Sequence, residues 1–168
     1  IYVMPIAGSG ASAAERLTSG PAFDMQPRFS PDGSRIAFSS DRDGLWNIWV
    51  MDADGKNAKQ VSKDRRWFVN SPAWGPDGAY IFARRHFVKE RSLGAGEIWM
   101  YHANGSDGLQ VTERSGFQKD AGEPAISPDG RYLYYSKDVT PGQTFEYNKD
   151  PNGLIYAIIQ RDLTTGRE

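Results

Sequence analysis

Hydrophobic and polar positions along this chain fall into short runs of strand length, some alternating and some wholly apolar, each closed by glycine, proline or aspartate. The runs recur. Pro27-Arg-Phe-Ser-Pro-Asp-Gly33, Pro72-Ala-Trp-Gly-Pro-Asp-Gly78 and Pro124-Ala-Ile-Ser-Pro-Asp-Gly130 begin 45 and then 52 residues apart. A unit of that length cannot bury its own faces, so self-similarity at this period predicts stacked supersecondary units.

Aligned on Pro-Asp-Gly, each unit predicts four short strands. First strands at Arg28–Ser30, Ala73–Gly75 and Ala125–Ser127 lead into the motif. Proline presets φ, aspartate bonds the local backbone and glycine takes positive φ, so the motif reads as a tight hairpin turn. Second strands at Arg35–Ser39, Tyr80–Arg84 and Tyr132–Ser136 carry apolar residues at both parities, and both of their faces are expected to be buried between neighbouring sheets. Third strands follow at Ile48–Met51, Ile98–Tyr101 and Ile155–Ile158, with a further copy at Ile1–Met4; Gly8, Gly55 and Gly105 mark the turns behind three of them. Fourth strands come at Arg16–Thr18, Gln60–Ser62 and Gln110–Thr112. Four antiparallel strands per repeat predict an all-β chain, a β-propeller of four-stranded antiparallel blades. A helical solenoid shares the period, but the turn residues and the period-two patterning oppose it.

The same residues resemble the TolB-like propeller repeat, in which a Ser-Pro-Asp-Gly turn precedes an Ile-Ala-Phe strand, then Ile-Trp/Tyr-Val-Met-Asp and a terminal Leu/Val-Thr. The resemblance covers essentially the whole chain. Ser92-Leu-Gly-Ala-Gly-Glu97 and Thr144-Phe-Glu-Tyr-Asn-Lys-Asp-Pro-Asn-Gly153 make it most similar to the propeller region ahead of a metal-dependent amidohydrolase domain. Strand counting divides the chain into the third and fourth strands of a preceding blade (1–20), a blade (21–65), a second blade (66–115) and an incomplete one (116–168). About three blades are present, and because TolB-like rings usually have six, the resemblance implies half of a six-bladed ring. Either the chain is part of a longer protein, or two copies form a homodimer that completes the ring, the strand around Leu17 supplying the missing fourth strand of the partner's last blade. The family further implies a periplasmic location.

Composition narrows the functions. At 39% hydrophobic and 24% charged the chain is ordinary for a soluble globular protein. Its apolar runs stay far below the roughly 18 residues of a spanning helix, so no membrane insertion is expected. Twenty basic against 21 acidic side chains supply no global field toward nucleic acid. The first residues lack the basic start and long apolar stretch of a secretory signal. Cysteine is absent, and two histidines, His86 and His102, are too few for a histidine-rich metal centre. No nucleophile elbow accompanies them. In Asp52-Ala-Asp-Gly-Lys-Asn57 glycine falls at the fourth place of a calcium loop instead of the sixth, and Lys63 stands where glutamate belongs. Gly8-Ser-Gly10 lacks the remaining glycine spacing of a nucleotide loop. The chain is therefore expected to be no enzyme by itself and to need neither cofactor nor metal.

Strand order sorts the connections into two faces. Short turns such as Ser30–Gly33 and Asp52–Gly55 lie on one; the inter-blade loops Ser19–Gln26, Lys63–Ser71 and Glu113–Glu123 join the long second-to-third-strand connections on the other. Long loops on a rigid scaffold carry binding residues more often than tight turns do. Asp32, Asp77 and Asp129 thus read as turn builders, and the long-loop face becomes the candidate site. Its expected binding residues are Arg65, Arg66, Trp67, Arg85, His86, Lys89, Arg91, Phe145 and Tyr147, with Arg84, Phe87 and Phe117 beside them. The bland alternative is solvated loop charge in which Asp120, Glu123, Glu146 and Asp150 pair with the arginines. The leading function is a non-catalytic scaffold for a protein partner. A second is the propeller portion of a larger hydrolase, of amidohydrolase or prolyl-oligopeptidase type, supporting or gating a separate catalytic domain. Small-molecule or sugar binding in a central channel is a third, for which the sequence offers only aromatics.

Overall fold

The computed structural model of the protein describes residues 1–5, 13–87, 95–116, 119–142 and 155–168. β1 (Tyr2–Val3) and β2 (Glu15–Arg16) make a two-stranded sheet. β3 (Asp24–Phe29), β4 (Arg35–Ser40), β5 (Asn47–Asp52) and β6 (Lys59–Gln60) make a four-stranded antiparallel meander. β7 (Trp67–Trp74), β8 (Tyr80–Phe87), β9 (Glu97–His102) and β10 (Leu109–Gln110) repeat it. β11 (Ala121–Ile126), β12 (Tyr132–Asp138) and β13 (Tyr156–Asp162) form a three-stranded sheet of the same order. These are the blades of a partial β-propeller, and no helix among the described residues is long and apolar enough to cross a membrane.

The core lies between blades. Ile81, Ala83 and Tyr101 pack against Ala37, Ile48 and Val50 of the preceding sheet. Phe82 and Ile98 belong instead to a cluster with Ala121, Leu133 and Tyr135 of the following one. Ile36, Phe38 and Met51 meet Ile1 and Leu17 of the opening pair. Each fully buried side chain of this size contributes about 2 kcal/mol. β4 and the first half of β8 are buried on both faces, as the apolar pattern requires. β12 departs from that expectation: Leu133 and Tyr135 are buried, whereas Tyr132 and Tyr134 are half-buried. The described residues place a neighbouring sheet against only one of its faces.

Strand boundaries differ from the pattern in three places, two of them for identifiable reasons. First strands begin at Asp24, Trp67 and Ala121, well upstream of the expected Arg28, Ala73 and Ala125, so the inter-blade loops are shorter than the sequence suggests. Each strand carries a bulge, between Met25 and Arg28, Asn70 and Ala73, and Gly122 and Ala125. Within it, Gln26, Ser71 and Glu123 take left-handed φ values of 56°, 54° and 50°, each immediately before a proline. Proline donates nothing to a ladder; the bulge sets it out of register and lets pairing resume on either side. Fourth strands, conversely, end early. Val61 N–H still donates to the Ile48 carbonyl at 2.8 Å, but Ile48 N–H turns to the Ser62 hydroxyl at 2.9 Å. Val111, Ile98 and Thr112 repeat the arrangement at 2.8 and 2.9 Å. A hydroxyl thus replaces the backbone partner at the outer edge. β13 runs on to Asp162, beyond the expected Ile158.

Candidate functional site

Arg85 shares its parity on β8 with Ile81 and Ala83, so the pleat turns it toward the face that packs on the preceding blade. A guanidinium on such a face needs partners. Asp64 Oδ2 accepts from Arg85 Nε at 2.6 Å, and the rings of Trp99 and Trp67 lie 4.1 and 5.0 Å from its Cζ. Asp64 is itself fixed by its turn: Oδ1 accepts the N–H groups of Arg66 and Trp67, both at 3.0 Å. The fully buried Asn47 anchors that turn, accepting Asp64 N–H at 3.0 Å and donating to its carbonyl at 3.1 Å.

Around this guanidinium lies a pocket of about 260 Å³. Arg85 and Trp67 form part of its wall, and Tyr101 lies at its base with 2% of its surface exposed. Burial pushes the Tyr101 phenol far above its ordinary range, an effect that the Arg85 charge reduces, so the hydroxyl is a proton donor at neutral pH. Neither that hydroxyl nor the terminal nitrogens of Arg85 have a hydrogen-bond partner among the described residues. Lys63, Arg65 and Arg66 stand exposed on the rim without an ion pair among the described residues, and Asp107 closes it. Four cations against two carboxylates leave the pocket positive. A second, larger pocket of about 360 Å³ lies beside Arg35, Asp52 and Asn104 on the short-turn side. There the arginine is already committed, donating to the Gly78 carbonyl at 2.7 Å over the Trp74 ring.

Of the expected binding residues, Arg65, Arg66, Trp67 and Arg85 come together. His86 does not join them: it follows Arg85 on β8 and projects from the opposite face, 3.2 Å from Asn70 Nδ2 and edge-on to Phe68. Burial, then the Arg84 charge, pushes its pKa down to about 4. Arg84 takes the same side and pairs with Asp120 at 2.9 Å, as the bland alternative anticipates. Gly96 N–H donates to the same Asp120 oxygen at 2.8 Å, and a Cβ on Gly96 would lie 2.5 Å from that oxygen and 2.7 Å from the Ala121 carbonyl. Glu123, in contrast, pairs with no arginine among the described residues; it accepts from the Ser71 hydroxyl at 3.2 Å. Lys89, Arg91, Phe117, Phe145, Glu146, Tyr147, Asp150 and the Gly8-Ser-Gly10 segment lie outside the described residues.

Asp64, Trp99, Tyr101 and Asp107 were not among the expected residues. Trp99 and Tyr101 stand in the sequence only as members of the third strand Ile98–Tyr101, and nothing there singles out Asp64. The available signal was the parity of Arg85, a cation in register with two buried aliphatic positions. Among the described residues, no group of three histidine or carboxylate side chains is placed to hold a metal ion.

Known proteins resemble this chain in sequence or in fold. "Uncharacterized peptidase YuxL" of Bacillus subtilis (strain 168) is 30% identical over 152 residues, which is 73% of this chain and 23% of that protein. "Tol-Pal system protein TolB" of Bordetella pertussis is 40% identical over 58 residues, covering 34% of this chain and 13% of the relative. The solved structure of a putative TolB from Agrobacterium tumefaciens has a TM-score of 0.69 at 20% identity, over 98% of this chain and 53% of that one. Puromycin hydrolase gives 0.64 at 16% identity, over 94% and 22%. At these identities the solved structures speak to the fold alone, and the chain spans less than a quarter of the peptidase's length. The profile of the TolB beta propeller domain matches residues 1–155. A match running from the opening strand to the edge of the last leaves one assignment: the chain belongs to the TolB beta propeller domain family.

Proposed function

We propose that this propeller segment is a non-catalytic scaffold that binds a protein partner through its long-loop face, with Arg65, Arg66, Trp67 and Arg85 as its centre. One observation carries the reading: three exposed cations without ion pairs among the described residues surround a guanidinium held between two tryptophans. Arginine and tryptophan are the side chains that dominate binding energy at interfaces. Lys89, Arg91, Phe145 and Tyr147 extend the same face in sequence, and the TolB resemblance supports a periplasmic setting. Capture from envelope extract tests it. A partner should be enriched by the chain and lost when Arg65→Glu, Arg66→Glu and Trp67→Ala are combined; a capture profile indifferent to these changes sinks the reading.

A second reading is the propeller portion of a larger hydrolase, favoured by the 30% identity to a peptidase of which the match covers only 23%. There the scaffold would support or gate a catalytic domain elsewhere. The reading frame beyond Glu168 decides it: a peptidase or amidohydrolase domain supports this reading and an immediate stop codon removes it. Closure of the ring by a second copy is tested by light scattering. The exposed Ile158, at 75%, favours a covered outer face on the last sheet, and a monodisperse monomer at micromolar concentration would exclude the homodimer.

A further inference from the structure

Resting on the reading of this face as the binding face, we propose that the pocket beside Arg85 receives a side-chain carboxylate of an acidic peptide segment. Arg85 spends only Nε on the protein, at Asp64, while Trp99 and Trp67 fix the guanidinium plane. Its two terminal nitrogens remain as a planar fork, the geometry that carboxylates accept in bidentate fashion. Tyr101, a largely buried residue that lines the pocket, adds a hydroxyl donor without a hydrogen-bond partner among the described residues. A ligand oxygen in the pocket can accept from this hydroxyl as well as from the fork.

Phosphate would also suit an arginine fork, but Asp64 and Asp107 line the same pocket. At the fork itself Asp64 balances Arg85 at 2.6 Å, and the cations on the rim are exposed and screened, so a second negative charge on the ligand gains little there while costing more desolvation. A carboxylate is therefore the better match. Exposed Lys63, Arg65 and Arg66 on the rim suit further acidic residues on a chain, which a small free acid would leave unused.

The test uses the full chain and a short fluorescein-labelled polyglutamate peptide, read by fluorescence anisotropy at low and at physiological salt, with a polyglutamine peptide as control. Binding of polyglutamate alone is expected, weakened about tenfold or more by Arg85→Lys, which keeps the charge and loses the fork. Tyr101→Phe should weaken it severalfold. Because Arg85 is packed, an Arg65→Glu/Arg66→Glu variant, changed only at exposed positions, provides a folded second reading and should also bind weakly. Equal binding by Arg85→Lys and the original chain overturns the proposal, as does displacement of the peptide by inorganic phosphate at lower concentration than by acetate. If polyglutamate fails while envelope capture still depends on Arg65, Arg66 and Trp67, the carboxylate inference falls and the scaffold reading stands; if both fail, both fall.

Discussion

Gln26 and Ser71 occupy the same place in successive blades and bond to each other twice: Ser71 N–H donates to Gln26 Oε1 at 2.9 Å, and Gln26 Nε2 donates to Ser71 Oγ at 3.1 Å. The Ser71 hydroxyl then reaches Glu123 of the next blade at 3.2 Å. Each residue sits in a first-strand bulge with left-handed φ, directly before proline, where a non-glycine residue costs about 1 kcal/mol or more. The seam explains why that strain is tolerated. The proline breaks the ladder, the bulge re-aims one polar side chain per blade, and those side chains join the blades edge to edge.

Replacing Gln26 should therefore cost more than an ordinary surface change. Gln26→Ala removes the acceptor of Ser71 N–H and of the fully buried Ser39 hydroxyl, which donates to it at 3.0 Å. The expected loss is about 2 kcal/mol. Urea denaturation of Gln26→Ala, Ser71→Ala and the double variant should show strong non-additivity; additive losses would show that the seam carries no coupling.

Lys119 and Asp138 form an ion pair at 3.2 Å with side chains only 3% and 1% exposed. Lys119 Nζ also donates to the Thr140 carbonyl at 2.6 Å and to its hydroxyl. Burial raises the Asp138 pKa, but hydrogen bonds from Thr140 and Lys119 outweigh it and the net shift is downward. Lys119→Met should destabilise by about 3–5 kcal/mol by stranding the carboxylate, and adding Asp138→Leu should recover most of that. A double variant as unstable as the single would show that the pair is needed for packing rather than for charge compensation.

The repeat made the blades legible because turn chemistry and strand patterning agreed three times over. It made the site only partly legible. Arg65, Arg66 and Trp67 were found because they are loop residues beside a blade boundary, but the alternation that places Arg85 inward and His86 outward is a single-residue matter of register. Asp64 was invisible because its role arises from a turn held by Asn47, 17 positions away. The bulges were hidden for a similar reason: X-Pro reads as an extended or turn pair, and nothing local predicts that Gln26, Ser71 and Glu123 would adopt left-handed φ.

In the first and third Pro-Asp-Gly turns a serine hydroxyl donates to the aspartate, at 2.6 Å from Ser30 and 2.5 Å from Ser127, while accepting the N–H of Arg35 or Tyr132. The middle turn has Gly75 in that place, without positive φ and with the nearest atom to a built Cβ at 3.4 Å. Gly75→Ser should therefore restore the relay and restrict the unfolded chain, stabilising by about 1 kcal/mol. A higher urea midpoint with unchanged slope is expected; an unchanged or lower midpoint would show that the turn does not accept the serine geometry.

His86 supplies the pH dependence. Its pKa falls from 6.5 to about 4 on folding, so between those values the unfolded chain binds more protons than the folded one. Stability must then drop as pH falls through 6.5 toward 4, by no more than about 3 kcal/mol, and must be fully present above 6.5. Asp24, Asp138 and Glu168 also have lowered values, but a carboxylate loses its contribution as pH falls through its own range, below about 4.5. The two effects therefore separate. Urea midpoints measured at pH 7, 6 and 5 should decline in the original chain and stay nearly level in His86→Gln, with both declining together below pH 4. Parallel curves for the two proteins between pH 7 and 5 would mean that His86 is not held neutral by its surroundings.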